Sequence, residues 1–351
     1  MAVFSINNVR IKGIAACVPK TIESNQDYDW ITEEERALFI KTVGVLTRHI
    51  SDSTSLASDM CAASAERLFE ATDCDPSEIG LILFVSQSKD YILPSSAIIL
   101  QSRLGLPRTC LAFDVPLGCS GYVYGLSIAA SLMNSTGIKK ALLLAGDTSS
   151  LSLIRTDKSA YPLFGDAGSA TLLEYDENAG PMDFSLQSDG SNYEAIIIPH
   201  GGSRQPIVEE SDVAVEIEKG VVRKKKNLAL NGLDIFNFSV KEVPPNVNQL
   251  MSNFGYTTED IDYFIMHQAN KLMNETIRKK LKFPPEKVPY SLRDYGNTSS
   301  ASIPITILAC LKKELSAGKN KLLLSGFGVG LSWGSVILDT ENLILPGIFE
   351  L

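Results

Sequence analysis

A cysteine, Cys119, lies where an apolar run meets a small-residue, apolar stretch typical of a buried helix, in Asp114-Val115-Pro116-Leu117-Gly118-Cys119-Ser120-Gly121-Tyr122. The N-terminus of a helix presents free N–H groups and partial positive charge, which favour a thiolate. The position therefore predicts a nucleophile. Taken alone, it is more typical of a cysteine that packs as a small hydrophobe, because free cysteine is among the most buried residue types. The rest of the chain decides between the two.

Composition limits the classes of function. The 351 residues are 44% hydrophobic and 21% charged, and six scattered cysteines and three histidines show no metal-ligand spacing. We therefore expect a globular protein with no metal site and no disulfide framework. No apolar stretch reaches the roughly 18 residues needed to cross a bilayer, and the first residues do not resemble a signal peptide, so we expect a cytoplasmic protein that does not bind membranes. A net charge of −9 argues against nucleic acid as the main partner.

Two basic clusters stand out on this acidic chain. One is the run Arg223–Lys226, and the other groups Lys271, Arg278, Lys279, Lys280 and Lys282. Either cluster is compatible with a small acidic partner. The alternative is an ordinary solvated face.

An internal repeat organises the chain. Residues 75–85 and 258–267 each form an acidic turn followed by a continuous apolar run of strand length, which is typical of strands buried on both faces. In each half an apolar helix follows, and a Gly-Lys turn then leads into a second apolar strand. The repeat predicts two α/β halves, 1–175 and 176–351, packed about a pseudo-twofold axis without a flexible linker.

The pseudo-twofold arrangement has a chemical consequence. The repeat places Cys119 at the start of one helix and Asn297 at the start of the matching helix, and the axis would bring these two ends together. His267 ends the matching buried strand of the second half, so we expect it beside them. His49 and His200 have no such setting and are expected to be structural.

Five short segments occur in a fixed order between about residue 10 and residue 340. They are Asp114–Tyr122, Leu163-Phe164-Gly165-Asp166-Ala167-Gly168-Ser169-Ala170, His267-Gln268-Ala269-Asn270, Tyr295-Gly296-Asn297-Thr298-Ser299 and Gly326-Phe327-Gly328-Val329-Gly330-Leu331-Ser332-Trp333-Gly334. In order and spacing they resemble the β-ketoacyl-acyl-carrier-protein synthase III family. The chain is less similar to chalcone-type synthases, which lack His-Gln-Ala-Asn, and to thiolases, which have a second cysteine where Asn297 stands.

The resemblance implies a five-layered αβαβα thiolase-like fold, an obligate homodimer and a Cys119-His267-Asn297 triad. The implied reaction initiates fatty acid synthesis without a cofactor: Cys119 takes an acyl group from a thioester, and malonyl-acyl carrier protein then loses carbon dioxide and condenses with it. The backbone N–H groups of Cys119 and Val329 would form the oxyanion hole, while His267 and Asn297 would stabilise the enolate. The resemblance also implies that Phe327 lies in the pocket, where an apolar neighbour favours decarboxylation. Gly328 and Gly232 would line the same pocket, and Leu93 of the partner subunit would close it.

Departures from the family pattern concern the acyl donor. The family's coenzyme A clamp, Trp-Ile-x-x-Arg-Thr-Gly-Ile, corresponds here to Phe39–Val45 and lacks the arginine, and Lys158 replaces a second arginine that stacks on adenine. Lysine cannot stack or form bidentate contacts as arginine does. The segment predicts that acetyl-coenzyme A is a poor donor, and that the primer is carried on a protein or has another chain length. Lys271 and Arg278 are expected to contact the carrier.

Two other classes of function stay open. One is a related condensing enzyme or acyltransferase of secondary metabolism that uses a non-acetyl donor, in which the triad would look the same. The other is a non-catalytic paralogue, which the intact triad argues against. Acyl length, carrier and pathway are not determined by the sequence.

Overall fold

Two mixed β-sheets form the centre of the fold. A computed structural model describes residues 2–52 and 54–351. The strands are β1 (Ala2–Ile6), β2 (Val9–Val18), β3 (Ile22–Ser24), β4 (Thr47–His49), β5 (Leu81–Val85), β6 (Leu111–Val115), β7 (Lys140–Asp147), β8 (Ala167–Tyr175), β9 (Met182–Ser188), β10 (Ile196–Ile197), β11 (Val215–Glu218), β12 (Val221–Arg223), β13 (Ala229–Leu230), β14 (Tyr263–Met266), β15 (Lys319–Gly328), β16 (Ser332–Glu341) and β17 (Ile344–Glu350). The helices are α1 (Glu33–Val43), α2 (Ala57–Thr72), α3 (Ser96–Arg103), α4 (Gly121–Thr136), α5 (Gly232–Phe254), α6 (Lys271–Leu281), α7 (Leu292–Tyr295), α8 (Ser302–Cys310) and α9 (Lys312–Leu315).

The two sheets repeat one strand pattern. The six-stranded sheet has the order β17-β2-β8-β7-β5-β6, and the five-stranded sheet has the order β1-β9-β16-β15-β14. Within the shared part, β5 pairs with β7 in parallel as β14 does with β15, and the next two pairings are antiparallel in both sheets. The duplication predicted from the sequence is therefore confirmed.

The chain ends are exchanged between the sheets. The predicted boundary at residue 175 falls where β8 ends, but β1 pairs with β9 in the second sheet and β17 pairs with β2 in the first. Each terminal strand covers an edge that the opposite half of the chain would leave unpaired. Each of the predicted halves, 1–175 and 176–351, therefore contributes its terminal strand to the sheet of the other half.

Helices cover both sheets in five layers. Residues of α2 and α3 pack on the outer face of the six-stranded sheet, and α5 and α6 pack on the outer face of the five-stranded sheet. Between the sheets lie α4 and α8, in a core shared by strands of both. Because both faces of each sheet are buried, the central strands carry continuous apolar runs, and all five residues of β5 are buried. This is the predicted αβαβα arrangement.

The central helix α4 packs unusually closely because of its glycines. A Cβ added at Gly121 would lie 2.5 Å from Val85 Cγ1, and one at Gly125 would lie 2.7 Å from Leu143 Cδ1. Small residues therefore let α4 approach the six-stranded sheet. This approach fixes the start of α4, and with it Cys119.

The first basic cluster, Arg223–Lys226, lies in the segment of the chain between β10 and β13. Arg223 pairs with Asp157 at 3.3 Å, and Lys224 and Lys226 both pair with Asp212, at 2.7 and 2.8 Å. Three of its four cations therefore have partners within the chain, which favours the solvated-face alternative. Over residues 2–52 and 54–351, no helix is long and apolar enough to cross a membrane.

Candidate active site

A pocket of about 440 Å³ opens where the central helices begin. Cys119, His267 and Asn297 all line it, and its other walls are mainly apolar. The further lining residues are Leu163, Phe164, Ile196, Leu230, Gly232, Ile235, Ala269, Asn270, Met273, Phe327 and Gly328. The juxtaposition expected from the repeat is thus present in the fold.

Cys119 occupies a crowded position just before α4. It is 7% exposed, and a Cβ on Gly328 would lie 2.8 Å from its Sγ. Burial raises the pKa of the Cys119 thiol to about 11, although the backbone N–H of Val329 lowers it. The sequence expectation of a favoured thiolate is therefore wrong for the resting state, because loss of solvation outweighs the helix terminus.

His267 directly follows β14 and is held on several sides. Its backbone N–H donates to the Ser325 carbonyl at 2.7 Å, and its Nδ1 lies 2.8 Å from Ser302 Oγ. The Phe327 ring meets the imidazole edge to face at 5.6 Å. Burial lowers the pKa of His267 to about 3, so the imidazole is neutral at physiological pH and carries one N–H.

Asn297 is fixed through its backbone and its side chain. Its N–H donates to the Leu163 carbonyl at 3.0 Å and its carbonyl accepts from Gly165 N–H at 3.1 Å. Its Oδ1 accepts from the Ser299 N–H at 2.9 Å. Since Oδ1 is occupied in this way, the Nδ2 donor is the end of the amide left for a ligand.

These three groups form a set suited to acyl chemistry. Cys119 supplies a nucleophile, and neutral hydrogen-bond donors on His267 and Asn297 can stabilise negative charge that develops on a substrate oxygen.

Over residues 2–52 and 54–351, no cluster of three or more His, Cys, Asp and Glu side chains has the arrangement of a metal site.

Sequence reasoning missed two residues of this centre, Ser299 and Asp147. Ser299 begins the turn between Asn297 and α8, has a positive φ of 50° and is buried. Asp147 ends β7 and is 1% exposed. A carboxylate at the end of an otherwise apolar strand was the available signal, since buried carboxylates need specific partners.

Most of the predicted pocket residues lie at the pocket, and one of them, Leu93, does not. Phe327, Gly328 and Gly232 line the pocket, and the Val329 N–H contacts the Cys119 thiol. Leu93 does not line the pocket of its own chain and is 83% exposed.

The predicted coenzyme A contacts lie in a separate groove of about 710 Å³ between α1 and β11–β12. Phe39 is half-buried against a small apolar cluster, and Lys158 Nζ pairs with Glu35 at 3.1 Å. Neither Phe39 nor Lys158 is therefore free to stack on the adenine of coenzyme A.

The two predicted carrier contacts on α6 differ. Lys271 lines a third groove, of about 790 Å³, together with Lys41 and Arg293. The Arg278 guanidinium donates to Glu275 at 2.8 and 3.0 Å and to the Phe283 carbonyl at 2.7 Å. Arg278 thus has its charge matched within the chain, and Arg293 pairs with Asp294 at 2.8 Å. Among the described residues, Lys41 and Lys271 are the cations of this groove for which no ion pair is found.

Comparison with known proteins agrees with this architecture. The profile described as 3-Oxoacyl-[acyl-carrier-protein (ACP)] synthase III matches residues 113–190, and that of the family's C-terminal part matches residues 251–340. A β-ketoacyl-[acyl-carrier-protein] synthase III of Streptococcus agalactiae is 33% identical over 94% of this chain and 98% of its own. One of Natranaerobius thermophilus is 30% identical over 95% and 99%.

A solved structure extends the comparison to three dimensions. The 3-oxoacyl-(acyl-carrier protein) synthase of Burkholderia xenovorans LB400 superposes with a TM-score of 0.93 at 34% identity, covering 99% of both chains. With similarity over almost its whole length in sequence and in fold, this chain belongs to the β-ketoacyl-acyl-carrier-protein synthase III family of condensing acyltransferases.

Proposed function

We propose that the chain condenses an acyl thioester with malonyl-acyl carrier protein, with loss of carbon dioxide, through an acyl-Cys119 intermediate. The observation that carries this proposal is the convergence of Cys119, His267 and Asn297 on one pocket. The product is a β-ketoacyl-acyl carrier protein, as expected for the first condensation of fatty acid synthesis. Thioester substrates supply the activation, so no cofactor is required.

In the first step, Cys119 attacks the acyl carbonyl and the donor thiolate leaves. The tetrahedral oxyanion accepts hydrogen bonds from the backbone N–H groups of Cys119 and Val329. Contact between the Val329 N–H and the thiol supports this role. Because burial holds Cys119 as a thiol, deprotonation must accompany attack.

In the second step, malonyl thioester loses carbon dioxide and leaves an enolate. His267 and Asn297 donate hydrogen bonds to the enolate oxygen. Phe327, buried against His267, places an apolar surface near the departing carboxylate, where loss of its charge is favoured. The enolate carbon then attacks the acyl-Cys119 carbonyl and releases Cys119.

The proposed carrier-binding surface is the groove formed by Lys41, Lys271 and Arg293. Asn270 lines the active-site pocket and the next residue, Lys271, lines this groove, so the two openings are adjacent. Cations beside the entrance match an acidic carrier.

The proposed dimer forms through β6. This strand lies at the edge of the six-stranded sheet, with Leu111 and Phe113 45% and 37% exposed. The loop between β5 and α3 exposes Ile92 and Leu93 by 80% and 83%. Exposed apolar edge strands are normally covered, and a second copy would cover this one while bringing Leu93 to its partner's pocket.

A non-acetyl acyl donor is the second candidate, favoured by the groove between α1 and β11–β12. The ion pair of Lys158 with Glu35 occupies the position of the family's adenine-stacking arginine, and a carboxylate there repels the phosphates of coenzyme A. We expect acetyl-coenzyme A to have a kcat/KM at least about ten-fold below that of the best donor, a factor that corresponds to about 1.4 kcal/mol.

The test is mass spectrometry of Cys119 after exposure to donors that vary separately in acyl length and carrier. Cys119→Ala should form no adduct. His267→Ala and Asn297→Ala should acylate but lose malonyl decarboxylation by about 100-fold or more. Equal loss of acylation in all three variants would contradict the assigned roles, and acetyl-coenzyme A as the fastest donor would contradict the non-acetyl alternative.

A further inference from the structure

A thiol, an amine and a carboxylate meet at the start of β7, away from the catalytic pocket. Lys140, the first residue of β7, donates a hydrogen bond to the Cys74 sulfur at 3.7 Å and another to Glu78 Oε2 at 2.7 Å. Among the six cysteines, all of them described, Cys74 is the one found hydrogen-bonded to a lysine. Asp147, at the other end of β7, lies roughly 20 Å along the strand. The cluster therefore takes no part in the proposed condensation.

The main chain holds these three side chains together. Cys74 lies two residues beyond the end of α2, and its N–H donates to the Phe69 carbonyl at 3.1 Å. The Gly80 N–H donates to the Lys140 carbonyl at 3.0 Å, which ties the turn that carries Glu78 to the start of β7. The amine and the thiol therefore meet in a fixed arrangement and not as two free surface side chains.

The thiol is shielded from large molecules, while the amine beside it reaches solvent. Cys74 is 6% exposed, and the Lys140 side chain is 21% exposed. Burial raises the pKa of the Cys74 thiol, and the Lys140 ammonium acts against this by lowering it. A cation beside a cysteine favours the thiolate, which is the form that peroxide oxidises. The group closest at hand for an oxidised Cys74 is therefore the amine of Lys140.

We propose that Cys74 and Lys140 form a reversible covalent cross-link when the protein meets hydrogen peroxide, which makes this cluster a redox modification site. In the first step the Cys74 sulfur attacks peroxide and the O–O bond breaks. The sulfur gains a hydroxyl group and becomes a sulfenic acid, and the thiol proton leaves with the other oxygen as water. Sulfur is oxidised by two electrons and peroxide is reduced.

The second step joins the sulfur to the nitrogen. Although burial lowers the pKa of Lys140, the hydrogen bond to Glu78 raises it overall, so the amine begins as an ammonium ion. The ammonium gives one proton to the Glu78 carboxylate, and the free amine attacks the Cys74 sulfur. The S–N bond forms as the S–O bond breaks, and the departing hydroxide takes the second N–H proton to become water. Sulfenic acids condense with a backbone nitrogen in the same way, and the flexible four-carbon stem of lysine allows Nζ to come closer.

A purely structural ion pair predicts a different result. The pair of Lys140 with Glu78 is partly exposed, and such pairs contribute little to stability. If pairing is the only role of Lys140, peroxide would carry Cys74 on to sulfinic acid and no bond to Lys140 would form. Lys140→Arg separates the two cases, because it keeps the cation beside Glu78 and removes the amine.

The experiment is peptide mass spectrometry of the full chain, first reduced and then treated with hydrogen peroxide. We expect two peptides joined through Cys74 and Lys140, about 2 Da lighter than their sum and separated again by dithiothreitol. A joined pair about 14 Da heavier than the sum would be the same bridge with an oxygen inserted by a second peroxide, and would also support the proposal. If no joined pair forms, whether Cys74 is found as a thiol or as sulfinic acid, the proposal is overturned.

Lys139→Arg is the matched control for Lys140→Arg. The Lys139 amine lies over the Tyr175 ring, 3.5 Å from its centroid, so this variant should cross-link as the parent does, whereas Lys140→Arg and Cys74→Ser should not. A parent peptide joined through Lys139 would contradict the assigned geometry.

Thermal unfolding gives a second readout. The cross-link would join residues 66 positions apart, so peroxide should raise the Tm of the parent by a few degrees and leave Cys74→Ser without that rise. An equal rise in Cys74→Ser would count against the bridge. The mass spectrum of the parent decides the matter if a variant does not fold. Neither measurement uses an acyl donor, so the result is independent of the proposed function.

Discussion

Gly328→Ala tests whether the position of the Cys119 thiol is set by the loop that faces it. A Cβ at residue 328 would lie 2.6 Å from Cys119 Cβ and 2.8 Å from Cys119 Sγ. Ordinary carbon contacts are about 3.5–4.0 Å. One of the two segments must therefore move by roughly 1 Å, and Cys119 is fixed at the start of α4.

The magnitude follows from that displacement. Misplacing a reacting group by about 1 Å typically lowers a rate about 100-fold. Forcing a methyl group into a packed site also destabilises a protein by about 1–3 kcal/mol, which is a melting temperature shift of a few degrees in a chain of this size. We therefore expect Cys119 acylation to fall by about two orders of magnitude while the protein stays folded.

The assay is the pre-steady-state rate of acyl-Cys119 formation, with thermal unfolding measured in parallel. Gly190→Ala is the matched control, since a Cβ there would meet no atom within 4 Å. The control should acylate at the parent rate. If Gly328→Ala acylates within about three-fold of the parent, the contact does not position the nucleophile and the reasoning fails.

Three further predictions concern the partner, the histidine and the dimer. Lys271→Glu should raise KM for malonyl-acyl carrier protein more than about ten-fold at low salt, and less at high salt as the charges are screened; an unchanged KM at low salt would remove this groove from the carrier surface. Because burial lowers the pKa of His267 to about 3, protonation of His267 should affect the rate of malonyl decarboxylation only near that pH. The measurement is the pH–rate profile of decarboxylation between pH 5 and 8. A titration near pH 6.5 that disappears in His267→Gln would contradict a neutral buried imidazole. Phe113→Glu should give a monomer by analytical ultracentrifugation, since a buried unpaired charge opposes association across β6; a dimer as stable as the parent would place the interface elsewhere.

The amino-acid sequence predicted the architecture and singled out the candidate catalytic groups. Continuous apolar runs predicted strands buried on both faces because only a sheet covered on each side accommodates them, and their repetition predicted two related halves. The small residues from Gly118 onward marked the helix that approaches the sheet closely. Residue type and order were enough to single out Cys119, His267 and Asn297, because these signals are local or repeat at a fixed spacing.

Other properties depended on residues far apart in the chain. The exchange of β1 and β17 between the sheets follows from which edges are left unpaired, and no local pattern specifies it. The sequence suggested Lys158 as a coenzyme A contact and Arg278 as a carrier contact, but each forms an ion pair within the chain, with Glu35 and Glu275 respectively. Whether a charge is available depends on its neighbours in space.

The ionisation of the site likewise depends on how the chain packs. A helix start favours a thiolate, yet burial between the two halves raises the pKa of Cys119 to about 11. The same burial lowers the pKa of His267 and raises the pKa of Asp147, which lies 150 residues from Asn297 in the chain. Desolvation is the sum of all surrounding atoms, so it exists only once both halves have packed together.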